Sequence, residues 1–298
     1  MDDNNINVKN FNDIYQLFKK NYDKYIKYTD LFDKLKDLIE SNTINFSVIN
    51  KLSLITIIIK YNKIRKLWIN IYDNKTHIVY IHNIVNDDNE IIVSGSELLN
   101  FSIIISYLLN ISTIELDDES SININNIKIN LRFLNILSGG ESWYNKFGFR
   151  SKNNNNTVLF NNRNSTKNNK FISNNFLRVY KELILEIPVN VIAILKYEKI
   201  IDSTADSINQ LIEKTNKYIH TIINGKEEEL KIKDVFKVIK KQLSNNIENE
   251  YLVIILFLIN LFGNKIVYNA KLYKKLTKNN KNNKNNRITK NRTLKIEY

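Results

Sequence analysis

The sequence predicts an α/β (α+β) protein: a mixed sheet with flanking helices, then a mainly helical region, then a disordered basic tail. Three observations predict it. Short β-branched and aromatic runs succeed one another from 51 to 93, separated by polar turns. A strand–helix–strand order occupies 90–118. From 171 to 270, apolar residues recur at three- and four-residue steps.

Before the sheet, Phe11, Ile14, Tyr15, Phe18, Tyr22, Tyr25, Ile26, Phe32, Leu35 and Ile39 hold helical spacing, with Lys and Asp opposite. The spacing predicts a helix or helix pair over 11–40, broken near Thr29–Asp30, with Asp30 as a cap. Residues 1–50 are expected to form an N-terminal helical segment packed on the sheet module. The polar start MDDNNINVKN has no basic region and no apolar core, so no secretory signal is expected and the expected compartment is the cytoplasm.

The strands are expected in KLSLITIIIKYN, KLWINIYD, THIVYIHNIV and NEIIVS, three or four in sequence, most simply a meander. Tyr61-Asn62-Lys63, Asp73-Asn74-Lys75 and 86–89 supply the turns. His77 and His82 fall on opposite faces of one strand, because their separation is odd. Ser94 and Glu97 have capping-box spacing and open the helix ELLNFSIIISYLLN. The next strand, ISTIELDD (111–118), is then locally parallel to the one before the helix.

Residues 119–137 fit a strand, a strand plus helix, or one helix. In SGGESWYNKFGF (138–149), Ser138 and Glu141 again have capping-box spacing, which puts Gly139-Gly140 at a helix N-terminus. Gly148 then ends that short helix in the left-handed region. The Asn-rich stretch 151–170 is a mobile connection, with room for a small strand at Val158–Phe160. It is the best boundary between a module at 51–165 and a helical domain at 171–270.

In that helical domain, Tyr251–Phe262 is the most apolar run. A membrane span needs about 20 residues, so this run reads as a buried helix or strand and no transmembrane segment is expected. His220 falls on a helix surface. Residues 271–298 carry ten Lys or Arg against one Glu, net +9 of the chain's +13, so the first 270 residues carry +4. Such a tail is either a footprint for a polyanion, nucleic acid among them, or a solvated terminus.

Composition excludes much chemistry. With no Cys and three His out of ligand spacing, no disulfide, thiol nucleophile or metal is expected. One Pro and six Gly leave little for phosphate-binding loops. Asn, Ile and Lys dominate while Ala appears only at 193, 205 and 270, a codon pattern of A/T-rich genomes. The acidic group Glu115, Asp117, Asp118 and Glu119 closes the 111–118 strand. Glu115, Asp117 and Glu119 share a face, suited to a divalent cation or to deprotonating an amine, or simply to a solvated strand end.

Trp143-Tyr144-Asn145-Lys146-Phe147-Gly148-Phe149 resembles the Y-x-K-x-G-F signature of the GCN5-related N-acetyltransferase (GNAT) family. The element order over 50–165 resembles that family too, and GGESWYNKFGF in an A/T-rich context looks like the GNAT-like proteins of large DNA viruses. The resemblance implies a GNAT-like mixed sheet that binds acetyl-coenzyme A where the fourth and fifth strands splay apart. It implies pyrophosphate binding by Ser94, Gly95 and Ser96 at a helix N-terminus, with Phe149 beside the coenzyme. Tyr144 would protonate the leaving thiolate, and Glu115 would serve the amine acceptor.

The family's phosphate loop reads Gln/Arg-x-x-Gly-x-Gly/Ala, whereas this chain reads VSGSELL, and residues 121–136 are extra. The expectation is therefore a degenerate GNAT-like scaffold: a viral assembly or accessory protein, in host cytoplasm or virion, that contacts other proteins and uses 271–298 on polyanions. The alternative is an active N-acetyltransferase.

Overall fold

A computed structural model describes residues 8–51, 53–72, 78–84, 92–151, 163–202, 205–223, 230–243 and 247–276. The expected strand at Val158–Phe160, the 73–75 and 86–89 turns and the first half of NEIIVS (89–91) lie outside these residues, as do His77 and the His82 side chain.

Three helices precede the sheet: α1 (Phe11–Lys20), α2 (Tyr22–Tyr25) with a 3-10 turn at Ile26–Tyr28, and α3 (Thr29–Glu40). The breaks fall at Asn21 and at Ile26–Tyr28. Asp30 lies inside the first turn of α3, whose start has no side-chain cap. Asn10 and Asp13 form a capping box on α1. Phe18 and Phe32 stack at 4.1 Å between centroids and lock α1 onto α3.

The helical segment does not run to 50. Strand β1 (Asn45–Lys51) pairs antiparallel with β2 (Leu54–Tyr61). It is an edge strand with no fully buried residue, and only Phe46 and Val48 pack against the core. That half-exposed pattern is a weak sequence signal. β3 (Ile64–Tyr72) and β4 (Ile78–Ile84) complete an antiparallel meander. Asn62 and Lys63, at φ 47° and 66°, make the β2–β3 turn.

Helix α4 (Gly95–Leu108) then crosses to β5 (Thr113–Asp117), parallel to β4, as the strand–helix–strand order requires. The parallel partner is β4, within THIVYIHNIV, and not NEIIVS; Ile92 and Val93 form a bend. α4 buries residues around most of its circumference because it lies between α1, α3 and the sheet.

Residues 121–139 resolve into a hairpin, β6 (Ser121–Ile124) and β7 (Ile127–Asn130), followed by α5 (Leu131–Gly139). Asn130 caps α5 through the Phe133 amide. Gly139-Gly140 therefore ends a helix and does not begin one: Gly140 is the left-handed C-cap at φ 83°. A 3-10 helix (Trp143–Phe147) comes next, stopped as expected by Gly148 at φ 84°.

After β8 (Arg150–Ser151) the chain leaves the sheet for α6 (Arg163–Ile172), α7 (Phe176–Leu185), α8 (Val189–Tyr197), α9 (Ala205–Ile223), α10 (Ile232–Gln242) and α11 (Asn249–Gly263). It then returns as β9 (Lys271–Lys275), between β5 and β8. The sheet order is β1-β2-β3-β4-β5-β9-β8. The basic segment thus begins with an ordered interior strand, so the tail proper starts later than 271; residues 277–298 lie outside the described ones. The helical region is an insertion within the sheet module and not an appended domain.

Two cores result. One joins the sheet to α1, α3 and α4. The other packs α5 to α10 around α11, the buried helix read from Tyr251–Phe262. Among the described residues, no helix is long and apolar enough to cross a membrane.

Candidate functional site

Pairing between β4 and β5 runs from Ile78 opposite Thr113 to Ile81 opposite Leu116, then stops. β4 continues along β3 to Ile84, and β5 continues along β9 to Asp117. The ladder between the two parallel strands thus ends one residue short of the C-terminal end of β5, on the side where crossover topologies put ligands. At this point the Tyr80 hydroxyl donates to Asp117 Oδ2 at 2.6 Å. Burial, then the bond to Asp117, push the Tyr80 phenol well above its ordinary pKa.

The N-terminus of α4 is the second element of the candidate site. Ser94 and Glu97 form the expected capping box: Ser94 Oγ accepts from the Glu97 amide at 3.2 Å, and Glu97 Oε2 accepts from the Ser94 amide at 2.6 Å. Lys34 on α3 donates to Glu97 Oε1 at 2.8 Å. Burial pushes the Glu97 carboxyl up. The bonds from Lys34 and Ser94 outweigh it, and the group sits below the usual carboxylate range. A carboxylate therefore already neutralises the positive end of this helix beside Gly95 and Ser96.

Tyr144 lies in the 3-10 helix with only 9% of its surface exposed. Its ring meets Trp143 and Phe149 edge-on. Burial, then the nearby Asp118, push its phenol well above the ordinary value. Phe149 has no exposed surface and fills the core beneath Tyr144. Trp143 and Phe147 pack against the same core while Lys146 is exposed.

Glu115 does not join Tyr144. Ile114 and Leu116 belong to the core that contains Tyr144, so Glu115 alternates to the other face of β5. There its neighbours across the sheet are Tyr80 and Tyr273.

The acidic run divides in a way the sequence concealed. β5 ends at Asp117, and Asp118 turns inward to full burial. Asp118 Oδ1 accepts from the Ser120 hydroxyl at 2.6 Å, while buried Oδ2 has no hydrogen-bond partner. The Asp118 carbonyl accepts from Arg132 and from the Tyr268 hydroxyl, each at 2.8 Å. The Arg132 guanidinium stacks 4.2 Å from the Tyr268 ring centroid. Asp118 is thus the joint between β5, α5 and the return into β9, a structural role. Among the described residues no group of three His, Cys, Asp or Glu could hold a metal ion. His220 is exposed on α9, as its helical position predicts.

A cleft of lysines and tyrosines over α4 went unread in the sequence, because its members lie far apart in the chain. No family model matches the chain, and no curated protein or solved structure matches it.

Proposed function

We propose that residues 45–151 and 271–276 form a GNAT-like module that has lost catalysis and serves as the scaffold of an assembly or accessory protein. The helical insertion offers surface to protein partners, and the cationic end of the chain contacts polyanions. Three features support the kinship: the parallel β4–β5 pair joined by α4, the loss of pairing beyond Ile81 and Leu116, and the WYNKFGF turn after β5. The A/T-rich composition agrees with a viral source.

The observation that carries the loss of catalysis is the carboxylate set at the helix N-terminus. In the family, the coenzyme pyrophosphate binds there. Here the Glu97 carboxylate holds the Ser94 amide and is itself held by Lys34. A second anion at Gly95 and Ser96 would meet like charge at short range. The arrangement of proton donors agrees: Tyr144 is nearly buried, its phenol is a weaker acid than usual, and Glu115 lies on the opposite sheet face.

The parting of β4 from β5 favours one other reading, an active N-acetyltransferase. A thiol-release assay with acetyl-coenzyme A and a panel of amines separates the two. The scaffold reading predicts no release above the no-protein rate. Release that requires Tyr144 would establish the enzyme.

A further inference from the structure

We propose that the cleft between the α2 turn, α4, the Trp143–Phe147 helix and β9 binds a compact polyphosphate. The cleft has a volume of about 450 Å³, within the range of small-molecule sites. Four lysines line it, Lys24, Lys27, Lys146 and Lys274, and no Asp or Glu does. Three separate elements contribute these lysines, so their convergence is a product of the fold.

The tyrosines position the cations. Lys24 Nζ lies 5.0 Å from the Tyr25 ring centroid and 6.0 Å from that of Tyr107. Lys27 Nζ lies 4.8 Å from the Tyr28 centroid. Lys24 and Lys27 are three apart, which places them on one face of the turn. Lys274 Nζ donates to the Phe147 carbonyl and is half-buried. Burial, then Arg150 and Lys27, pull its ammonium below the ordinary value. Among the described residues, no ion pair engages any of the four. Uncompensated like charge around a concave space disfavours the empty state, and a dense anion relieves it.

Lysine ammonium groups bind phosphate as point charges. A compact chain of phosphates fits a concavity of this volume. A nucleic-acid backbone spreads its charge along an open groove and would use stacking rings, but here lysines cover faces of Tyr25, Tyr28 and Tyr107. The cleft stands apart from Gly95 and Ser96, so it holds whether the sheet module is catalytic or not.

The test is calorimetric titration of the full chain with inorganic tripolyphosphate and, separately, with ATP. Saturable 1:1 binding is expected, weakened at least tenfold by Lys24→Gln with Lys27→Gln. Lys146→Gln, on a different element, should weaken it independently and guards against a folding defect in the double variant. In Lys281→Gln with Lys284→Gln, which removes charge from the chain end proposed to contact polyanions, the saturable 1:1 phase should persist. Equal affinities assign recognition to the phosphates alone, and tighter ATP binding adds a nucleoside contact. No saturable binding would overturn the proposal. So would binding insensitive to the cleft variants, binding lost equally with the 281 and 284 changes, or tripolyphosphate displaced stoichiometrically by a single-stranded oligonucleotide.

Discussion

Glu97 at the start of α4 and Lys34 on α3 meet at 2.8 Å, and through this pair the helix covering the sheet is tied to the N-terminal helices. The same carboxylate closes the capping box with Ser94. One side chain thus fixes where α4 begins, how it docks and what its N-terminus can still bind.

Glu97→Gln should lower stability by about 1 kcal/mol, the usual cost of a weakened cap. The pH dependence comes from the lowered carboxyl pKa. The unfolded chain titrates near the ordinary value of about 4.3. Above it the contribution is complete, and it fades as pH falls through the lower folded value. Urea midpoints from pH 6 to pH 3 should therefore fall more steeply for the natural protein than for Glu97→Gln.

Gly263→Ala tests the contact between α11 of the insertion and α5, which precedes it. Alanine is the better helix former by about 1 kcal/mol. A Cβ at 263 would nevertheless lie 2.7 Å from Phe133 Cδ2 on α5 and 3.0 Å from Cγ. Overpacking of this kind costs about 1–3 kcal/mol, so a net loss of stability is expected. Phe133→Leu combined with Gly263→Ala should recover part of it, read as the melting temperature of the double variant against each single one.

Gly140→Ala combines two costs. The position sits at φ 83°, and an added Cβ would fall 2.1 Å from Asn169 Oδ1. Left-handed backbone at a residue with a side chain costs about 1–2 kcal/mol. Asn169→Ala in the same chain should remove the clash and leave the backbone cost, so thermal denaturation should show partial rescue.

Tyr144→Phe should leave folding nearly unchanged. Burial and the ring contacts with Trp143 and Phe149 persist in phenylalanine. Tyr144→Ala, by contrast, should cost about 3–5 kcal/mol through the cavity it opens in the sheet core. Denaturant titration of the two variants separates the ring's role from the hydroxyl's.

The sequence carried the parts of this fold that depend on local chemistry. S-x-x-E at Ser94–Glu97 marks a true helix start, whereas the same spacing at Ser138–Glu141 does not, and Gly148 marks a left-handed stop. The run Tyr251–Phe262 is apolar all round because α11 is surrounded. What stayed hidden depends on distant partners. KLYKK reads as charge, yet Leu272 and Tyr273 are buried once β5 and β8 flank them. Gly139-Gly140 before Glu141 imitates a helix start, and only the length of α5 reveals an end. In the acidic run, nothing local distinguishes Asp118, which turns inward, from Glu115, which faces away from Tyr144.

Of the candidate site, Ser94 and Gly95 were placed correctly at a helix N-terminus, because a cap is a local motif. The separation of Glu115 from Tyr144 was not legible, since it depends on which face of β5 the Trp143–Phe147 helix covers. The lysine cleft was equally silent: it joins residues from 24 to 274, and a lysine-rich composition masks any such convergence.

Amide hydrogen exchange at residues 94–97, measured with and without acetyl-coenzyme A, tests most directly whether α4 still receives a coenzyme. With Glu97 already holding the helix start, exchange at Gly95 and Ser96 should be the same in both samples. Slowed exchange confined to those two amides, with free thiol accumulating as an amine is added, would show a working acyl-transfer site and contradict the scaffold.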